Sequence, residues 1–164
     1  METTDYSHIG ETLNRYLEKL AQSLPYRRRV EVAIFKDGKV LLTKNKDDEG
    51  QAWYGFPGGG TENDSDEKAA KKECLEEVGV KVENLTRVGT PHVQEGISSK
   101  KGRDKLYRGS VTRMFKADYV GKDDSILGAD GDSVKYGWYE VDEAKKLLKK
   151  NSIDSSYRVD AIGV

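Results

Sequence analysis

The sequence predicts a single α/β domain, a three-layer α/β/α sandwich around a mixed sheet, preceded by an amphipathic helix. Three observations point to it. Two β-rich runs flank an Asp-Gly turn, a helix-like segment follows a run of glycines, and further strand candidates lead into a short closing helix. The 164 residues suit one ordinary core, and the chain shows neither an internal repeat nor a linker.

Taken in order, Ile9, Leu13, Tyr16, Leu17, Leu20 and Leu24 recur at helical spacing until Pro25 ends the pattern. This predicts a helix over 6–24, whose apolar stripe serves either to cover the core or to form a homodimer. Val30–Phe35 and Lys39–Thr43, joined through Asp37-Gly38, read as a hairpin. Asp66–Val78, rich in Ala, Glu and Lys, reads as a helix stopped by Gly79. Lys81–Arg87 and Leu106–Tyr119 are strand candidates, and the basic stretch Ser98–Lys105 is a loop between them. A last strand near Tyr136–Val141 runs into a helix over Asp142–Lys150. The expected division is a helix over 1–25 appended to a domain over 26–164.

Composition narrows the partners. With 28 Lys+Arg against 29 Asp+Glu, the net charge of -1 exerts no global pull on nucleic acid or anionic membrane. Anion binding must come from local clusters. Cys74 is the sole cysteine, which excludes an internal disulfide and a multi-cysteine zinc site. The start, Met1-Glu-Thr-Thr-Asp-Tyr6, lacks the pattern of a signal peptide, and no apolar run approaches the ~20 residues of a membrane helix. The expectation is a soluble, cytoplasmic protein with no membrane partner.

The chemistry concentrates between Gly58 and Val80. Glu73, Glu76 and Glu77 occupy positions i, i+3 and i+4, one face of a helix, where like charges repel unless a cation neutralises them. Hard oxygen ligands at this density suit magnesium or manganese. The preceding Gly58-Gly59-Gly60 permits close approach of a ligand, and the helix N-terminus behind it favours a phosphate. Metal held by carboxylates beside such a loop can polarise a phosphoryl oxygen and activate water. Singly, a glutamate-rich helix face is usually solvated surface and a glycine run usually a turn. Their combination carries the reading.

The segment resembles the Nudix box: a glycine, five residues, Glu, seven residues, then Arg-Glu-apolar-x-Glu-Glu-x-Gly-apolar. Here Gly58, Asp64 and Lys72-Glu73-Cys74-Leu75-Glu76-Glu77-Val78-Gly79-Val80 stand at that spacing, with Asp64 for Glu and Lys72 for Arg. Trp53-x-x-Phe56-Pro57-Gly58 and Gly137-Trp138 through Ala144 extend the likeness over residues 28 to 150. The resemblance implies a Nudix-type α/β/α fold and a magnesium-dependent (manganese as substitute) pyrophosphohydrolase of a small nucleotide-type substrate. It makes Glu73, Glu76 and Glu77 metal ligands with the Gly58 carbonyl, and gives Glu73 and Glu76 catalytic roles as well. Lys72 would orient the glutamates, without arginine's bidentate fork. Asp64 either shares that task or caps the helix together with Glu67. Cys74 reads as a small buried apolar residue.

In the family the general base often lies in a loop before the closing strand, which makes Asp132 and Asp130 the first candidates and Glu95 a fallback. An acidic solvated loop is the plainer reading of that segment. Arg27 and Arg29, and Lys101, Arg103 and Lys105 in a loop able to act as a lid, are candidates for substrate phosphates. Trp53, Tyr54 and Tyr107 could stack a base or belong to the core, and His8 and His92 have no metal-ligand spacing. Family substrates range from nucleoside triphosphates and nucleotide sugars to dinucleotides, and nucleic acid enters only as capped RNA. The alternative is a catalytically silent Nudix fold acting as a nucleotide sensor, which an intact glutamate set argues against.

Overall fold

The computed structural model describes residues 7–99, 105–129, 133–151 and 155–163. The chain divides into two compact units, Met1–Arg27 with Val93–Val111, and Arg28–His92 with Thr112–Val164. The elements in chain order are α1 (Ser7–Ser23), β1 (Tyr26–Lys36), β2 (Lys39–Lys46), β3 (Ala52–Gly55), β4 (Gly58–Gly60), α2 (Asp66–Val78), β5 (Val80–Ser99), β6 (Leu106–Lys122), β7 (Lys135–Glu140), α3 (Val141–Lys149) and α4 (Ser156–Ile162). No described helix is long and apolar enough to cross a membrane.

The larger unit is the sandwich the sequence predicts. The β1–β2 hairpin closes through Asp37 and Gly38, both at positive φ, the geometry a two-residue turn between antiparallel strands demands. The described strands form one seven-stranded sheet in the order β3-β2-β1-β6-β5, with β4 paired to β1 and β7 to β2. Along β1 and β2, alternate side chains enter opposite cores. Val30, Val32, Ile34 and Leu41 meet Ala69, Ala70, Cys74 and Val78 of α2. Ala33, Val40 and Leu42 meet Ala144 and Leu148 of α3 and Ala161 and Ile162 of α4. Period-2 strands buried on both faces therefore read as near-continuous apolar runs. Each fully buried side chain of the size of Leu148 contributes about 1.5–3 kcal/mol of transfer free energy.

Four elements go beyond the sequence reading, the first being β3, which pairs with β2 from Lys46 to Thr43. β5 runs on past Arg87 to Ser99 through polar residues and the positive-φ Gly89 and Gly96, which carry no apolar alternation. β4 consists of three glycines, so no side chain announces a strand; its pairing places Gly58, Gly59 and Gly60 opposite Glu31, Val30 and Arg29. α4 is a seven-residue helix, too short to be stable by local propensity alone and held by its packing. Most of the loop expected at Ser98–Lys105 lies outside the described residues.

Candidate active site

α2 carries the site, and its ends are fixed independently. The N-cap is Ser65, in extended conformation, whose Oγ accepts the Lys68 N–H at 3.2 Å. Asp64, one residue earlier, is not that cap; it closes a turn onto the Thr61 carbonyl and lies 3.5 Å from Lys68 Nζ. Buried Asp66 secures the first turn: Arg28 Nη2 lies at 2.6 Å, Arg113 Nε at 3.1 Å and Arg87 Nη2 at 3.9 Å, one arginine each from β1, β6 and β5. At the other end Gly79 adopts the left-handed conformation and donates to the Cys74 and Leu75 carbonyls.

Between these ends, Glu73 and Glu77 lie against the glycine strand. The Glu73 carboxylate lies so close to Gly59 that a Cβ there would come within 2.6 Å of its carbon. Gly58 donates its N–H to Glu77 Oε2 at 3.3 Å. Gly58 itself admits no side chain, because a Cβ would sit 2.3 Å from the Val30 carbonyl oxygen and 2.8 Å from Glu31 Cγ. The glycines thus let backbone approach two carboxylates one helical turn apart, with a hydrogen bond to Glu77.

These carboxylates burden each other. Burial, then the charge of Glu73, and to a smaller extent Glu31, push the Glu77 carboxyl up to about 7, against the opposing pull of the Gly58 N–H and Arg29. Glu76 is buried, with Oε1 3.8 Å from Lys72 Nζ, the ion pair expected of the lysine at the arginine position. It does not converge with the other two: among the described residues no three acidic, histidine or cysteine side chains gather at one point. The residues present nevertheless fit a small hard cation. Two half-buried oxygen donors that repel each other beside open backbone have the charge deficit that such an ion relieves. Cys74 is fully buried in the core and its thiol is pushed up, first by desolvation and then by Glu77 and Glu73, so it is no nucleophile.

A family model of the NUDIX domain matches residues 25–159. The chain belongs to the Nudix family. The Nudix fold recurs in solved structures: a NUDIX hydrolase from Nitrosomonas europaea (TM-score 0.60, 20% identity, covering 82% of this chain and 85% of that one) and an ADP compounds hydrolase (0.62, 19%, covering 85% and 71%). Among curated proteins, an RNA pyrophosphohydrolase of Gluconobacter oxydans (strain 621H) is 26% identical over 133 residues, 79% of this chain and 78% of that protein. The chain is therefore a hydrolase acting on pyrophosphate bonds, of a family that generally uses divalent metal ions.

The other expected residues fall in different places. Arg29 stands opposite Gly60 and exerts its charge on Glu77. Arg27 and Lys105 belong to the smaller unit. Lys101, Arg103, Asp130 and Asp132 lie outside the described residues. Their neighbours are described: Gly128 N–H donates to the Glu76 carbonyl at 2.7 Å and Val134 N–H to the Glu77 carbonyl at 3.1 Å, so the segments flanking 130–132 are tied to the end of α2. Val134 also lines a cleft of about 610 Å³ with Lys44, Asn45, Lys46, Ser133 and Lys135. Glu95, in the smaller unit, accepts a short hydrogen bond from Tyr26 and a 3.3 Å bond from Arg108, and these bonds hold its carboxyl below the usual range. Tyr54 packs edge-on against Tyr139, and Tyr107 is buried.

Sequence reasoning missed Glu31, Asp66, Tyr157 and Arg158. Glu31 had a signal: a lone charge inside the apolar run Val30–Ile34. Arg158, in the polar tail, had none.

Proposed function

We propose that this Nudix hydrolase cleaves a pyrophosphate bond in a nucleoside diphosphate linked to another moiety, with magnesium, or manganese in its place, held by Glu73 and Glu77 with the Gly58 carbonyl, and Glu76 supporting them. The observation that carries this reading is the pair Glu73–Glu77 pressed onto Gly58 and Gly59. When bound, the metal polarises the phosphoryl oxygen and eases deprotonation of the attacking water. Glu73 and Glu77 bind and orient. Lys72 holds Glu76, and Arg29 meets negative charge on the substrate. Asp132 or Asp130 accepts the proton of the attacking water. The lysines of the Lys44–Lys46–Lys135 cleft attract the anionic substrate toward the end of α2.

The likeness to an RNA pyrophosphohydrolase supports a second reading, in which the pyrophosphate is that of an RNA 5′ end. A panel of nucleoside triphosphates, nucleotide sugars, dinucleotides and 5′-triphosphorylated RNA decides between them. Each is incubated with magnesium or with excess chelator, and phosphate, pyrophosphate and nucleoside monophosphate are measured. Turnover only with metal is the expected result. Undiminished turnover in chelator refutes the metal, and binding without turnover of any substrate favours the sensor.

A further inference from the structure

We propose that Asn151, Ser155, Tyr157 and Arg158 form a positioning clamp for the Gly58 loop, with Arg158 and Tyr157 acting on it through Glu31. The proposal takes from the reading above that this loop faces the metal carboxylates.

Glu31 is 2% exposed and stands directly opposite Gly58 in the β1–β4 ladder. Its Cγ occupies the space where a Gly58 side chain would be, so the Glu31 stem and the Gly58 backbone are in contact. The carboxylate beyond that stem is gripped by a buried fork: Arg158 Nε donates to Oε1 at 2.7 Å and Nη2 to Oε2 at 3.2 Å. Tyr157 donates its hydroxyl to Oε2 at 3.1 Å, with its ring stacked 3.9 Å from that of His92.

Asn151 and Ser155 hold the other end of the loop. Arg158 Nη1 donates to Ser155 Oγ at 3.2 Å, and Asn151 Nδ2 donates to the same oxygen at 2.9 Å. Asn151 then brackets the Tyr54 backbone, accepting its N–H at 2.9 Å and donating to its carbonyl at 2.7 Å. Tyr54 and Gly58 bound a five-residue stretch that includes Pro57. A path of hydrogen bonds therefore runs Tyr54–Asn151–Ser155–Arg158–Glu31, and the packing of the Glu31 stem against Gly58, the residue that donates to Glu77, completes it.

Chemistry gives the ion pair a task beyond packing. A buried pair costs desolvation that well-packed apolar side chains avoid, so stability alone does not call for it. Its bidentate geometry fixes direction as well as distance. Glu31 also adds its charge to that of Glu73 at Glu77, and Arg158 supplies the opposite charge directly at the Glu31 carboxylate. Partners one shell away from a metal's ligands commonly alter its affinity by roughly 10–100-fold when removed.

The test uses the full chain with two lesions. Glu31→Leu with Arg158→Met replaces the pair by apolar side chains, and Tyr157→Phe removes a single hydrogen bond, so at least the milder variant should fold. Amide hydrogen exchange of metal-free protein at Gly58 and Gly59, Mn²⁺ affinity by electron paramagnetic resonance, and kcat with KM are measured alongside Tm. The expected result is exchange about tenfold faster at those amides in the double variant and less in Tyr157→Phe. Mn²⁺ should bind roughly tenfold more weakly, and kcat should fall while KM holds. Arg158→Lys should recover part of each loss. Wild-type exchange at Gly58 and Gly59 in a folded variant overturns the clamp. If exchange rises but wild type and Glu77→Gln bind Mn²⁺ alike, the clamp stands and the metal reading falls.

Discussion

Replacing Glu77 by glutamine separates a metal ligand from a surface residue, because it should move stability and activity in opposite directions. Glu77 rises from an ordinary 4.5 to about 7 in the fold, through burial first and then the charge of Glu73. A raised carboxyl favours folding when protonated: that contribution is fully present below the unfolded value and is lost as pH climbs through the folded one. At about 1.4 kcal/mol per pH unit, the loss above pH 7 has a ceiling of about 3.5 kcal/mol, and partial solvent access brings it to the order of 1–3 kcal/mol. Glutamine keeps the shape and the acceptor for Gly58 N–H yet never ionises. Metal-free Glu77→Gln should therefore match wild type near pH 4.5 and melt several degrees higher at pH 8, at roughly 2–4 °C per kcal/mol for a chain of this size. Saturating magnesium should reverse the order at pH 8, and turnover of the variant should vanish. Calorimetry from pH 4.5 to 8, with and without magnesium, checks this beside an activity assay. A stability gap independent of pH, or a variant as active as wild type, refutes the reasoning.

Gly59→Ala places a methyl about 2.6 Å from the Glu73 carboxylate carbon and should abolish turnover while circular dichroism stays native. Asp132→Asn or Asp130→Asn should lower kcat by roughly 10²–10⁴-fold with little change in KM. If neither does, the base lies elsewhere, and Glu95→Gln, at a carboxylate already bonded to Tyr26 and Arg108, is expected to leave kcat within a few-fold of wild type. In urea unfolding, Ser65→Ala should cost about 1 kcal/mol and Asp64→Ala distinctly less; the reverse order would restore Asp64 as the cap.

Local rules made much of this protein legible in advance. Asp37-Gly38 fixes a hairpin because only a positive-φ pair matches the twist of the strands. Gly79 ends α2 because the left-handed conformation disfavours any side chain. The spacing of Glu73 and Glu77 places both on one face whatever surrounds them, and Cys74, one residue from Glu73, faces the core. Each of these is an interaction over a few residues, so the sequence alone determines it.

What the sequence could not decide involves partners far apart in the chain. Asp64 and Ser65 both suit a helix start, and the choice fell to Ser65 because Asp66 must reach Arg28, Arg87 and Arg113 on three strands. A run of glycines has no side chain to declare it a strand; β4 exists because β1 offers a ladder and leaves no room for a Cβ. Glu31 is a charge in an apolar run, a signal the sequence reading passed over, and nothing local could name Arg158, 127 residues away, as the group that makes its burial tolerable. A buried carboxylate needs a specific counter-charge at hydrogen-bonding distance, and only the folded chain determines which residue supplies it.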